Sequence, residues 1–419
     1  MEKRKSFEAF FFLYKLVLFN NMVNTNPEKI KEILNRGVEE IFEKESLLKK
    51  LQSGKQLRIK FGIDPTGPKI HIGRAFQFWK LKSFQDLGHK IVLIIGDFTA
   101  QIGDASDKQA MRKPLTEKEI KENFENYLNQ IGKILDLKKV EVRYNSEWFK
   151  KMKVIDFVNL QMIFTAQQTI QRRNFKERWD EGKPIGLHEL DYPLFQGYDS
   201  VAIKSDVEIG GSDQLFNLQS GREIQKHFNQ HPQDIMTSKM LNGLDGRKMS
   251  TSWGNIVTIL DEPADMYGKI MSMKDASIEE YFELATRLSK GEIAEIKKLG
   301  NPRDIKAKLA KEIVKMYHGE KEAEKAEEEF NKIFRNKELP SDIPFFEANK
   351  KEYFILDLLF DTKLASSKNE AKRLVEGNAV EMQIGDKKEK ITDWRKEINL
   401  EDDMIIKVGS RKFIKIKIH

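Results

Sequence analysis

The chain contains no cysteine among its 419 residues. That excludes a disulfide framework, thiolate zinc sites and cysteine nucleophiles, and it fits a reducing compartment. Histidine is sparse as well, with seven scattered residues. His227 and His231 have the spacing of two ligands on one helical turn, but no third ligand lies near them in sequence. They read as a surface helix-end pair, and no protein metal site is expected. Long apolar runs are also missing. The most apolar stretch, Phe10–Phe19, follows a basic start in the manner of an export signal, yet it is too short to span a bilayer and lacks a small-residue cleavage site. Residues 1–21 therefore read as an upstream extension or a misassigned start, with Met22 opening the functional chain. No membrane segment, internal repeat or low-complexity block is expected.

What is present is ordinary in bulk and informative in detail. A chain of this length exceeds one compact core and implies two or three domains. Apolar residues make up 39% and charged residues 33%, the balance of a soluble globular protein. A net charge of +7 permits a polyanionic partner without requiring one.

Between Pro27 and Leu51 the residues Ile30, Ile33, Leu34, Val38, Ile41 and Leu47 recur at helical spacing. Leu57–Ile63 reads as a strand, broken by Asp64-Pro65-Thr66-Gly67-Pro68, and a helix follows from Gly73 to Leu87. Ile91–Ile95, ended by Gly96-Asp97, reads as a fully buried parallel strand. This strand–helix–strand opening predicts a doubly wound α/β layer. Pro114–Leu135 reads as an amphipathic helix, Val140–Tyr144 as a strand, and Met152–Arg178 as polar, helix-rich sequence. Pro263–Phe334 is strongly helical, and its charge-dense tail Glu320–Glu329 reads as a solvated face. The expected organisation is an α/β domain over 22–260, a helical domain over 261–337, a proline-marked linker over 338–352 and a small α+β domain over 353–419.

Two short stretches carry the chemistry. The first, His71-Ile72-Gly73-Arg74, sits where a strand hands over to a helix. Helix N-termini carry unsatisfied N–H groups and partial positive charge, which suit phosphate. Glycine at 73 lets a nucleotide approach the backbone. A neutral imidazole at 71 can donate to a phosphate oxygen, more strongly as charge builds there. The second stretch, Lys248-Met249-Ser250-Thr251-Ser252, follows Gly243-Leu244-Asp245-Gly246 and reads as a mobile basic loop. Such a loop suits charge neutralisation that is needed only while a leaving group departs.

Together these stretches resemble the HIGH and KMSKS motifs of the class I aminoacyl-tRNA synthetases, with Arg74 in place of the second His and Thr251 in place of the second Lys. The chain resembles the bacterial-type tyrosyl-tRNA synthetases from about Met22 to His419. The resemblance is carried by Gly62–Gly73, Gly96-Asp97-Phe98-Thr99-Ala100-Gln101-Ile102-Gly103-Asp104, Tyr192-Pro193-Leu194-Phe195-Gln196-Gly197-Tyr198-Asp199 and Gly210-Gly211-Ser212-Asp213-Gln214. It implies a Rossmann-like catalytic domain, ATP with Mg2+ as substrate, L-tyrosine and tRNA(Tyr) as partners, a homodimer and a cytoplasmic setting.

The same resemblance implies roles for single residues. Asp199 would accept the tyrosine phenol, and Tyr192, Gln196 and Asp104 would hold its α-ammonium. Gln214 would lie near the substrate carboxylate, with Asp64 and Thr66 lining the tyrosine and ATP side. Gly73, Arg74, Gly210, Asp213, Met249 and Ser250 would line the ATP site. His71, Lys248, Lys108 and Arg112 would serve the phosphates. Thr251 itself removes one ammonium from the loop, and Lys108, Arg112, Arg247 or a bound monovalent cation is expected to share the lost role. Sites built to hydrogen-bond a substrate hydroxyl reject the analogue lacking it, tyrosyl-tRNA synthetases being the standard illustration. Where this family often places a second phenol-contacting Tyr the chain has Lys60, a donor only, so that contact is lost or remodelled and specificity leans on Asp199.

At the far end, Phe354–Ile418 resembles an S4-type RNA-binding domain through Ala365–Val380 and Val408–Phe413. Ser366 or Ser367 caps a helix carrying Lys368, Lys372 and Arg373, which the resemblance assigns to RNA. Two alternatives compete. A tryptophanyl enzyme shares the fold, but Asp199 with Tyr192 and Gln196 argues against it. An RNA-binding paralogue without ligation is motivated by the two motif departures, and the intact set Asp104, Gln196, Asp199 and Gln214 argues against that.

Overall fold

The computed structural model describes residues 23–64, 69–104, 116–171, 173–249, 253–335, 339, 343–385, 387–409 and 412–418. The expectations for residues 1–21 and for Thr66, Lys108, Arg112, Ser250 and Thr251 lie outside the described residues. The described residues form two compact units, one ending at Tyr317 and one beginning at His318.

The first unit is built on six strands: β1 (Val38–Phe42), β2 (Arg58–Ile63), β3 (Lys90–Ile95), β4 (Glu141–Tyr144), β5 (Val207–Gly211) and β6 (Asp234–Ser238). Their spatial order is β1-β6-β5-β2-β3-β4. Every neighbouring pair is parallel except β1 with β6. Strands covered on both faces need apolar residues throughout, and β3, β5 and β6 are buried along nearly their whole length. This is the doubly wound α/β layer that the sequence predicts.

The antiparallel edge strand β1 corrects the single helical reading of Pro27–Leu51. The first helix, α1 (Pro27–Asn35), ends before Gly37, whose φ of +57° turns the chain into the strand. A side chain there would meet Phe76, the Cζ atom lying 2.2 Å from an added Cβ. After β1 the chain re-enters a helix, α2 (Lys44–Gln52), through Glu43 at φ +67°. The helices α3 (Ile72–Asp86), α4 (Glu117–Ile131), α5 (Leu187–Ile203) and α6 (Leu215–His227) then cover the sheet. Helix α4 begins at a capping box formed by Thr116 and Glu119, later than the expected Pro114.

The helices from Pro263 to Tyr317 fall within this first unit. A local tie joins them to the end of α1. The Arg36 guanidinium donates to the carbonyls of Phe282, Glu283, Thr286 and Leu288 at 3.2, 3.0, 2.8 and 2.8 Å, satisfying the end of the helix Ile278–Ala285.

The second unit holds a five-stranded sheet, a two-stranded sheet and the helices Ile355–Asp361 and Lys368–Glu376 around one apolar core. Its strands are β7 (Phe345–Ala348), β8 (Glu352–Phe354), β9 (Val380–Ile384), β10 (Lys387–Ile391), β11 (Glu397–Asn399), β12 (Ile405–Val408) and β13 (Lys412–Ile418). Strand β7 lies inside the stretch read as a linker. It pairs in parallel with β13, from Phe345 opposite Lys415 to Ala348 opposite Ile418, so chain ends far apart in sequence share one sheet.

Candidate active site

Strands β2, β3 and β5 end side by side, and a cleft of about 490 Å³ opens beyond their carboxyl ends. Ligands bind at this edge of open α/β sheets. The cleft is lined by Asp64, His71, Gly73, Arg74, Asp104, Tyr192, Gln196, Asp199, Gly210, Asp213, Gln214, Lys248 and Met249, among others. Thirteen positions proposed from sequence thus converge on one cavity. Lys368, Lys372 and Arg373 lie in the other unit.

Helix α5 supplies one wall. Tyr192, Gln196 and Asp199 are spaced by four and three, so they share a face. The Tyr192 hydroxyl donates to Asp64 Oδ2 at 2.8 Å, and Thr99 Oγ1 donates to Asp64 Oδ1 at 2.9 Å. Asn145 Nδ2 in turn donates to Thr99 Oγ1 at 3.0 Å. Gly96 permits this arrangement, since an added Cβ would stand 1.9 Å from Asp64 Oδ1.

Asp199 is buried, and Trp148 Nε1 donates to its Oδ1 at 2.9 Å. Burial pushes its carboxyl up to about 7, while the Lys60 charge and the Trp148 bond pull the other way. Lys60 does not line the cleft. It is fully buried behind it, and its ammonium donates to Gln196 O at 2.7 Å, Ser200 Oγ at 2.7 Å and Glu208 Oε1 at 2.9 Å. Three donors meet three acceptors, which answers the question that Lys60 raised: the lysine is bound to the protein interior.

On the other side, Gln214 Nε2 donates to Asp104 Oδ2 at 2.8 Å. Asn217 Nδ2 donates to Gln196 Oε1 at 2.9 Å and to Gln214 Oε1 at 3.0 Å.

The nucleotide end is built around the start of α3. His71 is the N-cap, and its Nδ1 accepts from the Arg74 N–H at 3.2 Å. That bond fixes the tautomer with the proton on Nε2. Burial, with Arg74 adding to it, holds the imidazole down at about 4, so it is neutral at pH 7. Arg74 Nη1 donates to Tyr127 Oη at 2.9 Å. The segment that follows the second stretch, Val257–Ile259, reaches back to the first. His71 bridges Thr258, Ile72 N donates to Val257 O at 2.9 Å, and Ile259 N donates to Ile70 O at 3.0 Å. A Cβ at residue 73 would stand 3.2 Å from both His71 Nδ1 and Met249 Sδ, so Gly73 is where the two stretches meet. Arg247 turns to its own loop instead, with Nε donating to Asp245 Oδ2 at 2.7 Å and the guanidinium 4.8 Å from the Trp253 ring centre.

Among the RNA candidates, Lys368 pairs with Asp357 at 2.5 Å, and Lys372 lies 4.4 Å from the Trp394 ring centre. Arg373 is exposed. Ser367 is the N-cap, accepting from Glu370 N at 3.2 Å.

Sequence reasoning missed Asn145, Trp148, Tyr127, Ser200, Glu208 and Asn217. Asn217 lies three residues beyond a quoted motif and was within reach. Trp148 and Asn145 carry no local signal.

Comparison with known proteins agrees with this geometry. The family model for class I tRNA synthetases (W and Y) matches residues 52–335, and that for the tyrosine–tRNA ligase SYY-like C-terminal domain matches residues 336–416. A tyrosine–tRNA ligase of Thermotoga maritima is 44% identical over 396 residues, covering 93% of this chain and 98% of that relative. One from Aquifex aeolicus is 42% identical over 391 residues, covering 93% and 99%. Among solved structures, the tyrosyl-tRNA synthetase of Archaeoglobus fulgidus complexed with L-tyrosine has a TM-score of 0.58 at 23% identity, covering 72% of this chain and 99% of that one. A C-terminally truncated mitochondrial tyrosyl-tRNA synthetase of Aspergillus nidulans has a TM-score of 0.61 at 21% identity, covering 73% and 93%. At these identities the structural likeness speaks for the fold, and the sequence matches speak for the family. The chain belongs to the tyrosine–tRNA ligases of class I.

Proposed function

We propose that the cleft activates L-tyrosine with ATP and that the enzyme then passes the tyrosyl group to the 3′ end of tRNA(Tyr). The observation that carries this reading is the juxtaposition of a buried phenol acceptor, Asp199, with a neutral imidazole donor, His71, in one cleft. Asp199 accepts the phenol. Asp64, Asp104, Tyr192 and Gln196 surround the α-ammonium, for which carboxylates and amide oxygens are suitable partners. Gln214 lies beside the substrate carboxylate.

That carboxylate attacks the α-phosphorus of ATP in line. The bond to the bridging oxygen breaks, and pyrophosphate leaves as tyrosyl-adenylate forms. A carboxylate is already a nucleophile at neutral pH, so no general base is required. Catalysis is positioning and electrostatics. The His71 Nε2–H donates to a phosphate oxygen, and Gly73, Arg74, Gly210, Asp213 and Met249 border the nucleotide. Lys248, with Lys108 and Arg112 from outside the described residues, serves the departing pyrophosphate, and Thr66 and Ser250, also outside them, line the nucleotide. The terminal ribose hydroxyl of the tRNA then attacks the carbonyl of the adenylate, and AMP leaves.

Magnesium enters bound to ATP and needs few protein ligands. Among the described residues no group of three His, Cys, Asp or Glu side chains that could hold a metal ion is present. Lys368, Lys372 and Arg373 contact tRNA phosphates, and the helices from residue 261 serve the anticodon side. A homodimer in the cytoplasm is the working form. The dimer reading is supported by Val154, Met162 and Leu187, apolar yet 81%, 74% and 80% exposed. No helix among the described residues is long and apolar enough to cross a membrane.

ATP–pyrophosphate exchange with tyrosine, tryptophan and phenylalanine in turn tests the reading. Exchange is expected with tyrosine alone, and exchange with none of the three overturns it.

A further inference from the structure

Behind the cleft wall, three amides that face or flank the cleft form a hydrogen-bonded chain running between two carboxylates. At one end Glu208 is fully buried and fixed by the Lys60 ammonium at 2.9 Å, by Ser200 Oγ at 3.2 Å and by Gln233 Nε2. Gln196 Nε2 donates to Glu208 Oε1 at 3.2 Å. At the other end Asp104 accepts from Gln214 Nε2. Between them Asn217 gives both amide hydrogens away, one to each glutamine oxygen.

The direction of every bond in this chain follows from its ends. An ionised carboxylate only accepts, so each glutamine must turn its NH2 outward to its carboxylate and its oxygen inward to Asn217. Asn217 must then present NH2 to both. The cost is visible: Asn217 Oδ1 and Gln233 Oε1 are buried with no partner among the described residues. Burying an acceptor without a partner is unfavourable, and a fold tolerates that where something else is gained. Here the gain is orientation. The chain leaves Gln196 Oε1 with one lone pair beyond its bond to Asn217, on a residue lining the cleft where the substrate ammonium is placed. A flipped Gln196 would present NH2 to that ammonium and repel it.

We infer that Lys60, Glu208 and Asn217 are positioning residues for the amino-acid ammonium: the buried Lys60–Glu208 pair dictates the amide direction at Gln196, and Asn217 transmits the same constraint to Gln214. None of the three lines the cleft. The inference rests on the tyrosine-activation reading above and deepens it.

The test compares tyrosine with 3-(4-hydroxyphenyl)propionate, which keeps the phenol and carboxylate and lacks the ammonium. Both are measured as ligands of the full-length chain, tyrosine by exchange kinetics and the analogue by competition with it. Glu208→Gln can point NH2 either way, so it no longer dictates the Gln196 amide. Asn217→Leu removes the shared donor. Because Glu208→Gln alone leaves Lys60 without its counter-charge, the paired variant Lys60→Met with Glu208→Gln guards against a simple folding failure. In each variant the KM for tyrosine is expected to rise roughly ten- to a hundredfold, the range of one hydrogen bond to a charged group. The KM for ATP stays within about twofold in all three, and so does the inhibition constant of the analogue in the two Glu208 variants; Asn217→Leu also frees Gln214 beside the substrate carboxylate, so there the analogue weakens too, by less than tyrosine. Equal weakening of tyrosine and analogue, or weakening of neither, overturns the inference while leaving the activity intact. Failure of the unaltered enzyme to exchange with tyrosine removes the functional reading itself, and with it this inference.

Discussion

With Asp199 as the proposed phenol acceptor, amino-acid choice should depend on pH. Its carboxyl lies near 7 because burial disfavours the charged form more than Lys60 and Trp148 restore it. An ionised carboxylate accepts the tyrosine phenol strongly and penalises phenylalanine, which leaves the charge buried and unpaired. A neutral carboxyl does neither. With a titration near 7, about nine-tenths of the groups are ionised at pH 8 and about one-tenth at pH 6. The ratio of kcat/KM for tyrosine over phenylalanine should therefore fall about tenfold or more between pH 8 and pH 6. The assay is pyrophosphate exchange with each amino acid, since any titration of ATP affects both and cancels in the ratio.

The same shift has a stability counterpart. The folded value lies above the ordinary 3.8, so the fold holds this proton more tightly than the unfolded chain does. The group's contribution is most favourable below about pH 4 and is lost as pH rises through 7. Three pH units correspond to on the order of 4 kcal/mol. Asp199→Asn should raise Tm more at pH 8 than at pH 5, and its discrimination ratio should be low and flat with pH. A flat ratio in the unaltered enzyme, or one that slopes equally in Asp199→Asn, refutes the reasoning.

Three further outcomes are expected. Gly96→Ala drives a methyl group into Asp64 and Thr99, so tyrosine activation should drop by about two orders of magnitude or more for two lost bonds to a charged group, with the far-ultraviolet circular dichroism spectrum retained. His71→Asn keeps an N-cap acceptor and replaces the imidazole Nε2–H with a shorter amide. The exchange rate should fall about 10²–10³-fold while Tm moves by no more than a cap exchange allows; an equal loss of both would show that His71 is only a cap. Arg178 and Glu189 form a buried pair at 2.9 Å. Glu189→Gln should lower unfolding free energy by about 3–5 kcal/mol in a denaturant titration, and replacing both residues with apolar ones should cost less.

The parts of the fold that sequence revealed are those whose signals are local. The run Ile91–Ile95 and the helix after His71 have one periodicity each, and both stand where expected. Strand β5 was hidden because Glu208 and two glycines break its apolar pattern, and the cation that makes Glu208 tolerable lies 148 residues upstream at Lys60. Strand β1 was hidden by apolar spacing that fits a helix until Gly37 interrupts it. Strand β7 was hidden by proline-rich flanks, and its partner β13 lies at the opposite end of its unit. The site divides in the same way. Motif residues such as Asp64, Gln196 and Asp199 were legible, whereas their supports Trp148 and Asn145 are defined only by contact across the fold.

The backbone ladder joining His71 to Thr258 bears on how the protein comes into being. Asp64, Asp199 and Gln214 are all synthesised before Val257–Ile259, the segment that pairs with the backbone beside His71. A nascent chain halted before Val257 carries Asp64, Asp199 and Gln214 but lacks the carbonyl that receives Ile72 N and the residue that bridges His71. The backbone pairing that holds the start of the helix at His71 is therefore completed only once translation has passed the second motif.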